Sequence, residues 1–194
     1  VGGTVEDQGD AFGDLGTLLI LIVILVYIVM ATQFESLKFP FIIMFTIPFA
    51  FTGVFLALWM TSTPLSLIAL IGAIMLVGIV TKNGIVMVDY MNLLIERGSG
   101  VFDAVIAGGK SRLRPVLMTS FTTILGMLPL AIGTGAGSET WQPMGIAVIG
   151  GLTFSTILTL FIVPVLYSIL VNRSQRKERE KLARLSAEHQ ASKH

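Results

Sequence analysis

The stretch LSLIALIGAIMLVGIVTKNGIVMVDYMNLLI, residues 65–95, decides the fold. It can cross a bilayer, because the hydrocarbon core is ~30 Å thick and a helix needs about 20 mostly apolar residues to span it. Yet it carries Lys82 close to its midpoint, with Asn83 beside it and Asp89 seven residues later. A lysine in hydrocarbon costs ~2.5–3.5 kcal/mol on insertion scales, so it needs a compensating partner. The stretch therefore predicts a membrane helix with a polar function at its centre.

The composition of the whole chain agrees with a membrane protein. Of its 194 residues 54% are hydrophobic and only 13% are charged, and the mean hydropathy is +0.84. A soluble domain of this length would expose far more charge. Cysteine is absent, and both histidines, His189 and His194, lie in the polar tail. We therefore expect no disulfide, no catalytic thiol, no metal site and no cofactor in the membrane.

Five segments are long and apolar enough to be membrane helices, which predicts an all-α membrane protein with a five-helix bundle. Pro48 predicts a kink inside the second segment, and Pro64, Pro115 and Pro143 stand where helix starts are expected. We place the transmembrane domain at residues 15–171, with spans at residues 15–31, 39–60, 65–95, 115–132 and 143–170.

The basic residues predict the orientation. Loops alternate sides, and the loops on the side of the N-terminal segment contain no lysine or arginine. All basic residues other than Lys82 fall on the opposite side, including Lys38, Arg97 and the basic residues of the tail. By the positive-inside rule, the tail at residues 172–194 is cytoplasmic and the first side is external.

The polar connecting segments allow more than one interpretation. Residues 101–113 are basic and partly apolar, which favours a separate amphipathic helix along the cytoplasmic face, next to anionic lipids, over a solvated loop. The tail is expected to be solvated and partly disordered. Residues 1–14 are acidic and lack the basic start of a signal peptide, so we expect the chain to be the C-terminal piece of a longer protein.

The partner of Lys82 is not in its own helix. Asp89 lies on nearly the same face but ~10 Å away along the axis, so it is either a second station of a polar pathway or an interfacial carboxylate. Snorkelling is disfavoured, because the lysine would have to cross most of a ~15 Å leaflet. No other span supplies an acid, so the counter-charge must come from outside these residues. The hydroxyls of Thr119 and Ser120 could extend a proton relay, although such groups more often bond to their own helix.

Small residues recur in the spans, where they allow membrane helices to approach closely. They are Ala69, Ala73, Gly78, Gly84, Gly145, Gly150 and Gly151.

Four stretches together resemble the C-terminal membrane region of resistance-nodulation-division (RND) efflux transporters, in the hydrophobe/amphiphile branch typified by the acriflavine resistance pump. The resemblance extends over about residues 15–170. It rests on MATQFESLKFPF (residues 30–41), VGIVTKNGIVMVDY (77–90), AGGKSRLRPVLMTSFTTILGMLPLAIGTGAGSE (107–139) and GIAVIGGLTFSTILTLFIVPVLYSIL (145–170).

The resemblance implies a proton-driven exporter in the bacterial inner membrane, generally a homotrimer, with two six-helix halves and large periplasmic domains. The five spans would then be the eighth to twelfth of the transporter, and residues 1–14 the end of a periplasmic domain. The implied partners are the N-terminal half of the same transporter, membrane lipids, a periplasmic adaptor and an outer-membrane channel.

The resemblance also assigns the site residues. Lys82 matches a lysine that pairs with two aspartates of the first half, Thr119 the relay threonine, Arg112 the relay arginine, and Asp89 a position that is commonly acidic. Asn83 would be a polar neighbour of the relay. Counted from Pro115, Thr119 lies only about one turn inside its span, which leaves it several ångströms from the depth of Lys82. The metal-exporting branch lacks this lysine, so the resemblance implies organic, amphiphilic substrates.

Other functions are weighed against this one. The chain could be a non-transporting scaffold or assembly module from a truncated or split transporter. An intramembrane enzyme is disfavoured, because the spans offer no histidine, no cysteine and no paired aspartates.

Overall fold

A computed structural model describes residues 2–191, and this part of the chain is helical with short turns. The helices are α1 (Gly2–Phe34), α2 (Lys38–Met44), α3 (Thr46–Met60), α4 (Leu67–Glu96), α5 (Val101–Ile132) and α6 (Ser138–Ala191). With α2 and α3 taken together, the described residues contain five helices long and apolar enough to cross a membrane. The predicted all-α bundle of five spans is therefore confirmed.

The second span is irregular three residues before Pro48, the residue at which a kink was predicted. The helix is interrupted at Phe45, between α2 and α3. Proline lacks the N–H that would bond to the carbonyl four residues earlier, at Met44, and its ring crowds that carbonyl. The Thr46 hydroxyl donates to the Ile43 carbonyl at 2.6 Å, so a side chain satisfies part of the disrupted turn.

Pro115 and Pro143 do not start helices, contrary to the prediction. Both lie inside long helices, α5 and α6, whereas α4 does begin soon after Pro64, with Ser66 as its N-cap. A proline inside a membrane helix is tolerated because neighbouring helices and side chains satisfy the freed backbone groups. The separate helix predicted at residues 101–113 is likewise wrong, because these residues form the first part of α5. Gly108 in this part packs on Met91 of α4.

The tail is also more ordered than predicted. Residues 172–191 continue α6 as an exposed helix, and residues 192–194 lie outside the described part. Good helix formers dominate this segment, and Arg176 pairs with Glu180 one turn later at 3.2 Å. Lys38 at the start of α2 donates a hydrogen bond to Ser174 at 3.1 Å. This contact brings the tail and the basic start of α2 to one end of the bundle.

The core forms where α6 packs on α3, α4 and α5. Glycines allow this contact: a Cβ on Gly53 of α3 would lie 2.6 Å from Phe154 Cβ and 2.8 Å from the Gly150 carbonyl oxygen. A Cβ on Gly151 would lie 2.1 Å from Leu76 of α4. The backbones thus approach as closely as small residues permit.

The predicted close-packing role of the small residues is confirmed for all but one of them. Ala69 and Ala73 are buried, Gly84 packs on Ile43, and Gly145 packs on Ala131. Gly78 is the exception, because a Cβ there would meet nothing within 4 Å. It lies on a face of α4 that the described helices leave open.

We predict that Gly53→Ala lowers the free energy of unfolding by about 1–3 kcal/mol, because the added methyl group overpacks the contact between α3 and α6. The matched control is Gly126→Ala inside α5, where a Cβ would meet nothing within 4 Å. Both substitutions favour the helix equally by propensity, so only packing separates them. Thermal unfolding of the purified protein in detergent measures the difference. Equal midpoints for the two variants would contradict the close contact.

Candidate functional site

Lys82 lies at the middle of α4. It is 15 residues from the start of this helix and 14 from its end, which corresponds to about 22 Å on either side. Its side chain is exposed, on a stripe of α4 that also carries Ile71, Met75 and Asp89. The opposite face of α4 is buried against the bundle. The lysine therefore projects from the exposed face of α4 at the middle of this spanning helix.

The surroundings of Lys82 are apolar on the side of α1. A groove of about 380 Å³ separates α1 from α4. Its walls are Leu25, Val26, Val29 and Met30 of α1 and Gly78, Thr81, Lys82, Ile85 and Val86 of α4. Within residues 2–191 the Lys82 ammonium makes neither an ion pair nor a hydrogen bond. An ammonium in this setting is stabilised only by a partner that these residues do not provide.

Asp89 shares the open stripe with Lys82 but does not pair with it. Both side chains are exposed, and seven residues of helix separate them by about 10 Å. The structure thus does not bring these two charges together, and both interpretations of Asp89 stay open.

Thr119 lies at nearly the same depth as Lys82. The antiparallel helices α4 and α5 are aligned by the contact of Gly108 with Met91. Counted from this contact, Thr119 is about 16 Å along α5 and Lys82 about 13 Å along α4, in the same direction. The depth gap expected from the sequence disappears because α5 begins at Val101, not at Pro115.

The side chain of Thr119 is exposed. It stands at the same helical angle as Gly108 and Arg112, which contact Met91 and Tyr90 of α4. Its hydroxyl donates to the Pro115 carbonyl at 2.6 Å and makes no contact with Lys82. With its hydrogen used in this way, the oxygen can still accept a hydrogen bond from an ammonium group.

Arg112 is bound to α4 through an aromatic ring. Its guanidinium carbon lies 4.6 Å from the centroid of the Tyr90 ring, a cation–π contact. Its Nε is buried and has no hydrogen-bond partner among the described residues. Tyr90 is eight residues from Lys82, about 12 Å along α4. Arg112 is therefore positioned below the lysine, towards the basic end, without touching it.

Asn83 points away from Lys82 into the bundle. Its side chain is 8% exposed and makes no hydrogen bond with residues 2–191. Consecutive residues on a helix are about 100° apart, so the two side chains cannot share one face. Lys82 and Asn83 thus lie at the same height along α4, but their side chains point in different directions.

Two buried polar contacts were not predicted from the sequence. The Tyr167 hydroxyl of α6 donates to Asn92 Oδ1 of α4, and the Phe39 ring stacks on Tyr167 at 5.6 Å. Ser120, considered above as a relay hydroxyl, bonds to Thr156 of α6 at 2.9 Å. In the sequence, each of these residues can be recognised only as a polar position inside an apolar span. Which partner each hydroxyl bonds to depends on which helices pack together.

The comparisons with known proteins give a consistent result. A model of the AcrB/AcrD/AcrF family matches residues 1–171. The cobalt-zinc-cadmium resistance protein CzcA of Cupriavidus metallidurans is 39% identical over 91% of this chain, which covers 17% of that protein. Multidrug resistance protein MdtC of Erwinia tasmaniensis is 42% identical over 84% of this chain and 16% of that protein.

A solved structure agrees. The crystal structure of a heavy metal efflux pump matches with a TM-score of 0.79 and 32% identity, over 86% of this chain and 17% of that one. The chain thus spans about a sixth of the length of the proteins that it resembles.

We predict that Tyr167→Phe lowers the free energy of unfolding by about 1–3 kcal/mol, because it leaves the Asn92 oxygen without its donor. The double variant Tyr167→Phe/Asn92→Leu removes both partners and should cost less than the sum of the single changes. The measurement is a double-mutant cycle of thermal unfolding in detergent. Additive effects would mean that the hydrogen bond contributes nothing to the packing of α4 on α6.

Proposed function

This chain belongs to the AcrB/AcrD/AcrF family of RND efflux transporters, and on this premise we propose that it is the proton-coupling half of a proton-driven exporter. The observation that carries the proposal is Lys82, a mid-membrane ammonium on an open face of α4 with no partner among residues 2–191. A carboxylate on a helix that covers this face would complete an ion pair. In this proposal the chain catalyses no covalent reaction.

The pair would work as a switch. An ammonium nearby favours the charged form of a carboxylate, whereas burial disfavours it, so a proton can bind the carboxylate when the pair separates. Protonation removes the attraction, and Lys82 is released. Because breaking a buried pair costs ~3–5 kcal/mol, the change in pairing is large enough to bias two packings of α4.

The other site residues support this switch in different ways. The Thr119 oxygen lies at the depth of Lys82 and can accept a hydrogen bond from the released ammonium. Arg112, stacked on Tyr90, joins α5 to α4, so a movement of α4 is transmitted to α5. Asp89 would be a second station on the same stripe, towards the basic end. Asn83 would reach the relay only after a rotation of α4.

The location and the partners proposed for the full-length protein are those that the family resemblance implies. The transporter would lie in the bacterial inner membrane with the tail in the cytoplasm, form a homotrimer and act with a periplasmic adaptor and an outer-membrane channel. The lipid contact is supported by the apolar outer face of α1, whose only buried residue is Met30. The described basic residues near the tail end, such as Lys38 and Arg176, would lie close to anionic lipid headgroups.

The proposed substrates are amphiphilic organic compounds. The names of the relatives include both substrate classes, since CzcA is named for cobalt, zinc and cadmium and MdtC for multidrug resistance. Lys82 favours organic substrates, because the TKNG motif that contains it resembles the hydrophobe/amphiphile branch of the family.

We predict that Lys82→Met in the full-length transporter lowers proton-coupled export by at least about a hundredfold, since it removes one member of a buried ion pair. The measurement is proton movement and dye export in proteoliposomes under an imposed pH gradient. Lys110→Met is the matched control, because Lys110 is an exposed lysine on the first part of α5. This control should export normally, and both variants should form the same oligomer as the unchanged protein.

Normal export by Lys82→Met would overturn the proposal. Loss of assembly without a specific loss of coupling would favour the scaffold instead, in which the chain only holds other subunits together.

A second prediction concerns the substrate class. Cells that lack their own efflux pumps and express the full-length transporter should tolerate more of an amphiphilic dye. Their tolerance of Co²⁺, Zn²⁺ and Cd²⁺ should stay unchanged. The minimal inhibitory concentrations measure both, with Lys82→Met as the inactive control. Raised metal tolerance with unchanged dye tolerance would place the protein in the metal-exporting branch.

A further inference from the structure

A basic groove lies where the tail part of α6 meets the start of α2. Its volume is about 570 Å³. The residues that line it are Lys38, Leu170, Arg173, Ser174, Arg176, Lys177 and Glu180. A hydrogen bond from Lys38 Nζ to Ser174 Oγ at 3.1 Å joins its two walls, which are 136 residues apart in the sequence. The basic groove is therefore a product of the tertiary structure.

Three positive charges of the basic groove have no acidic partner. Lys38, Arg173 and Lys177 make no ion pair among the described residues, and the one acid of the groove, Glu180, pairs with Arg176. Positive charges that are brought together in this way repel each other, and an anion bound among them reverses the sign of the interaction. The groove thus has the charge of an anion-binding site.

The basic groove lies at the height of the lipid headgroups in the proposed orientation. The fifth span ends at Leu170, and Arg173 and Lys177 follow it by about 5 and 11 Å along α6. The headgroup layer is about 5–8 Å thick on each side of the hydrocarbon core. A phosphate group at the membrane surface can therefore reach these side chains.

An exposed aromatic row leads from the basic groove into the membrane. It consists of Phe41, Phe45 and Phe49, whose ring centroids are 6.5 and 5.9 Å apart in sequence order. Phe41 and Phe45 are 59% and 45% exposed, and they follow Lys38 at the spacing of one helix face. A ligand with its phosphate at Lys38 thus has an apolar surface beside it for a hydrocarbon chain.

We propose that the basic groove binds the headgroup of an anionic phospholipid, with the phosphate held by Lys38, Arg173 and Lys177 and an acyl chain along the aromatic row. The inference extends the general attraction between basic residues and anionic lipid to one defined site, and the bound lipid joins α2 to α6. It rests on the membrane orientation given with the proposed function, but not on the proton switch.

The side chains of the groove suit a phosphate chemically. Arg173, Ser174 and Lys177 lie within about 100° of one another around α6, on the side that faces Lys38. A guanidinium can bind two phosphate oxygens at once, and each ammonium adds a point charge. The Lys38 ammonium donates one hydrogen to Ser174 and has two more for a phosphate.

The test measures how tightly phosphatidylglycerol binds to the purified full-length transporter, by native mass spectrometry. Phosphatidylcholine with the same acyl chains is the comparison lipid. The groove variant is Lys38→Gln/Arg173→Gln/Lys177→Gln. Each basic residue at a membrane surface contributes about a fivefold increase in binding, so we expect the groove variant to bind phosphatidylglycerol at least about tenfold more weakly.

The matched control is Arg179→Gln/Lys181→Gln/Arg184→Gln. It removes the same charge from exposed positions of the tail that do not line the groove, and glutamine has nearly the same helix propensity as arginine and lysine. These positions lie about 14 Å or more beyond the end of the span, so their attraction to the surface is more strongly screened. The control should bind phosphatidylglycerol nearly as well as the unchanged protein.

Equal weakening in the two variants would overturn the inference, because the net charge of the tail would then explain the binding. Equal binding of the two lipids by the unchanged protein would overturn it as well. Glycerol phosphate is added as a competitor in a further arm. If it displaces the lipid as effectively as phosphatidylglycerol does, the groove is a site for soluble phosphate compounds and not for a lipid.

Two further measurements keep the test independent of folding and of transport. Lys38→Gln alone should weaken phosphatidylglycerol binding about fivefold, and unchanged binding in this single variant would also contradict the site. Lys82→Met should bind the lipid as the unchanged protein does, because Lys82 does not line the groove. Normal export by Lys82→Met would therefore remove the proposed function and leave the lipid site in place.

Discussion

The close contact of α6 with α3 and α4 is the constraint on which the rest of the arrangement depends. At Gly53, Gly150 and Gly151 the backbones of α3 and α6 meet with no room for a side chain, and the Leu76 side chain of α4 packs on Gly151. In a bilayer, where lipid is as apolar as leucine, such tight packing is a main source of helix association. The contact uses one face of α4 and fixes its rotation. The opposite face, with Lys82, Gly78 and Asp89, is left uncovered, so the polar function of α4 is a consequence of how its apolar face packs.

The continuity of the helices sets the depth of the site. α5 passes through Pro115 without ending, and this places Thr119 level with Lys82 rather than near the membrane surface. A chain that restarted its helix at Pro115 would put the threonine hydroxyl at the wrong height for the lysine. The same continuity brings Arg112 onto Tyr90 of α4, so that one helix carries both Arg112 and Thr119.

The proposed coupling needs a part of the transporter beyond these residues. Lys82 has no counter-charge within residues 2–191. An ion pair between Lys82 and a carboxylate on another part of the transporter can open when the two parts move relative to each other. A pair within one rigid helix could not, since its separation is fixed by the helix geometry. Lys82 and Asp89, which share α4, are held about 10 Å apart in this way.

The sequence by itself determined the number of the spans and the solitary lysine near the middle of the third, because each is a local consequence of hydrophobic length and residue type. It also carried the family resemblance, since motifs are local. Only the tertiary structure decided that α5 and α6 run through Pro115 and Pro143, that Tyr167 meets Asn92, and that the Thr81 hydroxyl is buried without a hydrogen-bond partner among the described residues. The physical reason is that a proline or a hydroxyl has several acceptable environments along its own helix. Which one it adopts depends on the neighbouring helices, and these are distant in the sequence.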